Sequence, residues 1–263
     1  MKIYFITRFS IFDPNFKGFR IVVSKSSEEY ERELFSTDRM EFKFHVFQNV
    51  TIPSIIDQTN KNWEWHIFTS DRLPNIYMTR LKELARKHFG IYIFSVKNFK
   101  EFFEVTSNYN YISPFATVRI DDDDALNLAF VEMLQKYSKE TGKIISFTEG
   151  RLAKYEKGKL HVGKRISEKN NAQGLAGIGI NIYACGRHTD IDTRYKVIYD
   201  NSPDMFLLMC SDYTDTKRGF TFIERTRSRL QYIQAQIKRN PLAAFNLLEI
   251  RLKKIFKRIG LLI

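Results

Sequence analysis

Short runs of β-branched and aromatic residues recur along the first two hundred positions of this chain, alternating with segments whose apolar residues fall at helical spacing. Ile3 to Thr7, Trp63 to Thr69, Ile91 to Val96, Ala116 to Ile120 and Lys143 to Phe147 each have the length and composition of a buried strand. Between them, Phe44, Phe47, Thr51 and Ile55 recur at helical steps, with Pro53 expected to kink or restart the helix. Met78, Leu81, Leu84 and Ala85 mark one face of a further helix, and the acidic stretch Ser27 to Leu34 is a helical candidate. Parallel strands need long crossovers, so this alternation predicts an α/β domain with a mostly parallel sheet covered by helices on both faces. At 263 residues the chain can form one such domain, and no linker divides it. The expected organisation is a domain over 1–220 and a basic helical extension over 221–263.

The later part of the domain is more polar. A helix is expected from about Ala125 to Lys139, with Leu126, Phe130, Met133, Leu134 and Tyr137 on its apolar face. Arg151 to Lys164 predicts a charged hairpin turning at Lys157-Gly158, and Glu168 to Gln173 a mobile polar loop. Cys185 and Cys210 are too few for a disulfide framework or a four-thiolate zinc site, and free thiols in a reducing compartment are the simpler reading. No stretch has the apolar length of a signal segment or a membrane span, so a cytoplasmic location is expected.

Charge is distributed unevenly. From Lys217 to the end there are twelve basic residues against two acidic ones, whereas the preceding 216 residues hold 30 of the 42 Lys and Arg and 28 of the 30 Asp and Glu. A basic tail on a nearly neutral body points to an anionic surface met by one end. Within it, Phe245, Leu248, Leu252, Ile255, Phe256, Ile259 and Ile263 recur at three- and four-residue steps over 242–263, opposite Arg251, Lys253, Lys254, Lys257 and Arg258. That profile suits a helix lying on the inner face of the cytoplasmic membrane, or one packing its apolar stripe on the body.

The strongest chemical signal is Asp121-Asp122-Asp123-Asp124, directly after a strand. Adjacent carboxylates repel one another, and in an extended segment Asp121 and Asp123 would share a side and could hold one ion. Ligands of open α/β sheets bind beyond the carboxyl ends of strands. Oxygen-only donors favour Mg²⁺ or Mn²⁺ shared with substrate phosphates. The same residues also suit a helix N-terminus, with Asp124 as cap.

Two further segments give the run a context. In Ile52 to Asp71, the residues Ser54, Ile55, Ile56, Gln58, Thr59, Asn62 and Glu64 resemble the "SllnQTy.n.E" frame of family-two nucleotide-sugar glycosyltransferases of the GT-A fold. Asp121, Asp123 and Asp124 match their "DxDD". Thr7-Arg8-Phe9, Ile52-Pro53-Ser54 and Arg119 through Leu126 are similar to the "TRF", "LPS" and "RLDNDDAL" of a bacterial rhamnosyltransferase group. The resemblance covers roughly residues 1–150; the tryptophan and histidine of that group's C-terminal region have no counterpart in Pro203 to Tyr213.

The resemblance implies a GT-A, Rossmann-like catalytic domain that moves a hexose or deoxyhexose from a UDP- or dTDP-sugar to a glycan or lipid-linked acceptor of a bacterial surface polysaccharide. It implies Mn²⁺ or Mg²⁺ held by Asp121 and Asp123, with His188 as a candidate nitrogen ligand. Thr7, Arg8, Phe9, Asp71, Arg119, Asp121 and Asp122 would bind the nucleotide sugar. An inverting reaction needs a carboxylate base, for which Glu149, Asp204 and Asp212 are candidates. His45, His66, His88 and His161 show no partner spacing and receive no role. Two other classes compete: a basic nucleic-acid-binding protein, for which no signature motif is present, and a phosphoryl-transfer enzyme or nuclease using the acidic run, which lacks a phosphate-cradling Gly loop. No nucleic-acid partner is expected.

Overall fold

The computed structural model describes residues 1–16, 21, 25–156 and 158–210. The expected basic extension over 221–263, its 242–263 helix, the turn residue Lys157 and the candidate base Asp212 lie outside the described residues.

Eleven strands among the described residues form two sheets. The larger has the order β10 (Val197–Asp200), β6 (Ile144–Phe147), β9 (Ala176–Ile178), β4 (Phe115–Arg119), β1 (Lys2–Phe9), β2 (Trp63–Ser70), β3 (Ile91–Val96). Within it β1 runs parallel to β2 and β4, β2 parallel to β3, and β10 parallel to β6. Only β9, inserted between β4 and β6, runs antiparallel to its neighbours. The mixed, mostly parallel sheet read from the alternating pattern is therefore the fold observed. The smaller sheet has the order β5 (Ala125–Leu126), β11 (Phe206–Met209), β7 (Glu149–Glu156), β8 (Lys159–Ser167).

Helices α2 (Thr37–Val46), α3 (Ile52–Ile56), α4 (Asn75–Arg86), α5 (Phe99–Asn108) and α6 (Phe130–Gln135) pack on the large sheet, and α1 (Ser27–Leu34) packs Tyr30 and Leu34 against Phe12. A capping box starts α1: Ser26 accepts from the Glu29 amide and Glu29 accepts from the Ser26 amide. Asn98 caps α5 by accepting from the Glu101 amide, a signal that makes this aromatic-rich helix legible although it is absent from the sequence expectations above. Phe5, Phe9, Phe44, Phe47, Trp65 and Phe130 are fully enclosed in the main core, between α2 and the sheet.

Pro53 restarts the helix as expected: the π-helical turn Phe47–Thr51 widens the backbone just before it, and Pro53 sits in the first turn of α3. Three expectations need correction. The helix expected over 125–139 is reduced to α6, since Ala125 and Leu126 pair antiparallel with Leu207 and Phe206. The acidic run is a turn rather than an extended segment, closed by Asp124 N–H donating to the Asp121 carbonyl at 3.4 Å. Finally, the 168–173 loop is packed rather than solvated: Asn170, Asn171 and Gln173 are buried, and Asn170 N–H donates to Ser146 Oγ.

His66, on β2, is enclosed among Tyr4, Phe94 and Tyr109. Burial pushes its pKa down to about 4, outweighing the Glu64 carboxylate 3.6 Å away. The unfolded chain binds this proton near pH 6.5 and the folded chain only near pH 4. Stability from the neutral imidazole is thus complete above pH 6.5 and is lost as pH falls toward 4, by about 3 kcal/mol in all. His66→Gln should flatten the denaturant midpoint across that window. An equally steep fall in the variant would place the proton uptake elsewhere.

Candidate functional site

The carboxyl ends of β1 and β4 meet the α2 face at the middle of the sheet's edge. Strand β1 stops at Phe9, and Ser10 turns the chain at once with φ of 51°, in the left-handed region that a non-glycine residue seldom adopts. Beyond β4 the Asp121–Asp124 turn faces α2 across a cavity of about 150 Å³, room for roughly five waters. Arg8, Ser10, Arg39 and Lys43 line it together with the four aspartates, and Tyr30, Leu34, Phe99 and Leu208 supply an apolar wall.

Each aspartate has its own environment. Asp121 accepts from Arg8 Nη2 at 3.2 Å and Arg119 Nη2 at 3.5 Å. Burial pushes its carboxyl up, but Arg119 and Arg8 together hold it well below the ordinary carboxylate range. The two guanidiniums lie over the Tyr183 ring, at 5.3 and 5.6 Å. Asp122 is paired with Lys43, and its backbone carbonyl accepts from Thr51 Oγ1 at 3.1 Å, so the π-helical turn positions the acidic turn. Asp124 is buried; it accepts from the Met209 amide at 2.7 Å and from the Gln173 amide, and burial beside Asp123 raises its pKa.

Asp123 differs from the other three. Among the described residues it forms no ion pair and accepts no hydrogen bond from another residue, and burial followed by the Asp122 charge pushes it up to about 8 against the opposing charge of Lys43. A carboxyl in that position gains most from an added cation.

The expected site residues separate into groups. Arg8, Asp121, Asp122 and Asp123 come together in the cavity, with Arg119 directly behind Asp121. Thr7 and Phe9 do not reach it. Thr7 Oγ1 accepts from Trp65 Nε1 at 2.9 Å, Phe9 packs between Phe44 and Phe47, and both are fully buried. Asp71 is exposed at the end of β2, outside the cavity lining. His188 opens a short 3-10 segment, His188–Thr193; its Nδ1 lies 2.8 Å from the Asn170 carbonyl. Burial and then Arg119 lower its pKa, leaving a neutral ring whose Nδ1–H donates to that carbonyl.

Neither Glu149 nor Asp204 lines the cavity. Glu149 is half-buried beside the Thr148 hydroxyl. Asp204 is enclosed and held by Arg151 Nε at 2.8 Å and Arg165 Nη2 at 3.1 Å, so its carboxylate serves the junction of β7, β8 and β11. Arg39 and Lys43 are the cavity residues that sequence reasoning passed over. Their i, i+4 spacing beside apolar Met40 and Phe44 is the pattern that exposes them.

Among the described residues no group of three His, Cys, Asp or Glu side chains is arranged to hold a metal by itself. The donor set fits an ion shared with a ligand, with one carboxylate from the protein and the remaining positions filled by phosphate oxygens and water, as is common for Mg²⁺. Asp123 is the carboxylate available for that; Asp121, with both oxygens on arginines, is not. No helix among the described residues is long and apolar enough to cross a membrane.

A family model described as "Putative rhamnosyl transferase" matches residues 2–223. No curated protein matches the chain. Among solved structures it is similar to S. aureus TarS 1-349, with a TM-score of 0.48 and 7% identity over 80% of this chain and 60% of that one. It is also similar to that protein in complex with UDP-GlcNAc (0.48, 8% identity, 92% and 68% covered) and with UDP (0.46, 9%, 80% and 61%). The chain thus spans 60% of the first of these structures.

Proposed function

The chain belongs to the rhamnosyl transferase family whose model spans residues 2–223, and from that premise we propose that it moves a hexose or deoxyhexose from a nucleoside-diphosphate donor, a UDP- or dTDP-sugar, to a glycan or lipid-linked acceptor in the synthesis of a bacterial surface polysaccharide. The observation that carries the reading is Asp123. It is a carboxyl with no ion pair or hydrogen bond from another described residue, facing a cavity at the carboxyl ends of parallel strands. This is where open α/β sheets bind their ligands.

Asp123 would hold Mn²⁺ or Mg²⁺ jointly with the donor's diphosphate, and the ion would supply Lewis-acid charge to the departing nucleoside diphosphate. Arg8 and Arg119, fixed by Asp121 and the Tyr183 ring, place two further positive charges beside that position at no cost of reorganisation. The apolar wall of Tyr30, Leu34, Phe99 and Leu208 excludes water from one side of the cavity.

Thermal unfolding with a panel of nucleotide sugars and Mn²⁺ tests this. At about 100 times its Kd, a cognate donor should raise Tm by roughly 5–10 °C. A panel of UDP-, dTDP- and GDP-sugars that leaves Tm unmoved would remove the reading.

A further inference from the structure

Helix α2 brings two cations to the cavity, Arg39 and Lys43, one helical turn apart on the stripe beside the buried Met40 and Phe44. Lys43 is fixed there: its ammonium pairs with Asp122, donates to Ser10 Oγ at 3.3 Å and lies 5.3 Å from the Phe9 ring centre. Arg8 reaches the same cavity from β1. Three cations from two elements therefore line a volume of only about 150 Å³, two of them, Arg8 and Lys43, held in place by Asp121 and Asp122. Such a chamber is matched to a compact polyanion with several oxygens, and a guanidinium fork can grip two of them at once.

We infer that Arg39 and Lys43 of α2, together with Arg8, form the face that binds the diphosphate of the donor, with Arg39 as its bidentate contact. This assignment deepens the nucleotide-sugar reading by naming residues outside every motif that led to it.

Inorganic pyrophosphate in EDTA is the probe, because it needs neither a nucleoside nor a bridging ion. Calorimetric titration of the full chain should show pyrophosphate binding that weakens about 10–100-fold in Arg39→Gln. Arg39→Lys, which keeps the charge but loses the fork, should fall between the two. Thermal unfolding of both variants checks that α2 remains in place. Titration with UDP and dTDP separates the two levels of the argument. If pyrophosphate binds through Arg39 but neither nucleotide competes with it, the cationic face stands and the nucleotide-sugar reading fails. Binding of pyrophosphate by folded Arg39→Gln at wild-type affinity, or none by the wild type, would overturn the assignment.

Discussion

Replacing Asp123 with alanine or asparagine is expected to lower sugar transfer by about 10³-fold while making the ligand-free protein more stable. The two effects have one cause. The Asp123 carboxyl is half-buried beside Asp122 and forms no ion pair of its own, so its charged form is disfavoured in the folded chain despite the charge of Lys43. Its proton is retained to about pH 8, against an ordinary value near 3.8. The folded state therefore holds a proton that the unfolded state has lost, and stability declines as pH rises from about 4 to 8. Asp123→Asn escapes that decline. Its advantage over wild type should be absent below pH 4 and reach at least about 1 kcal/mol by pH 8. Denaturant titrations at pH 4 and 8 beside initial rates with a nucleotide sugar decide the matter. A variant that transfers sugar at the wild-type rate would end the role given to Asp123. One destabilised at pH 8 would show that the carboxylate is compensated after all.

Asp204 should behave in the opposite way. Asp204→Asn is expected to cost about 3–5 kcal/mol, because it leaves the Arg151 guanidinium, 4% exposed, without its counter-charge. Asparagine is the informative replacement: Asp204 has φ of 58°, and asparagine tolerates that left-handed conformation as aspartate does. The loss therefore reports charge rather than backbone strain. Arg165, 58% exposed, can turn its charge to water and contributes less. Adding Arg151→Met to Asp204→Asn should recover most of the stability, since no unpaired charge then remains inside. If Asp204→Asn unfolded at the wild-type midpoint yet lost turnover, this carboxylate would be the base and the structural role wrong.

The two aspartates illustrate what was legible in the sequence. The parallel sheet was readable because each strand pattern is local, and five apolar runs alternating with helical segments admit few arrangements. The acidic run marked the right end of the strands. Its internal geometry was not readable, because alternation along a strand does not survive the turn that closes at Asp124. Ala125 and Leu126 belong to helical periodicity in the sequence and to β11 in space; their partners stand some eighty residues later, beyond the reach of any local pattern. Asp204, too, reads in sequence as an available carboxylate, and only the return of β7 and β8 with Arg151 and Arg165 makes it an internal counter-ion. Arg39 and Lys43 show an i, i+4 spacing beside Met40 and Phe44, but which cavity that stripe of α2 would meet depends on the distant acidic turn.

The reversed direction of β9 has a consequence for how this enzyme could be altered. Because that strand alone runs against the sheet, the segment entering it, rather than the one leaving it, arrives at the carboxyl rim, delivering Gln173 to Asp124 and the Gly174 amide to the Arg119 carbonyl. Of the positions 168–174, Gln173 meets the acidic turn and Gly174 the strand before it, and 170–174 are buried. Diversity placed at the outer positions Glu168 and Lys169 would leave that packing intact, whereas Gly174 has to stay glycine, because its φ is 73° and a Phe130 ring carbon lies 2.7 Å from where a Cβ would stand. The chain after Ile178 comes back to the same site, where the Tyr183 ring lies under Arg8 and Arg119.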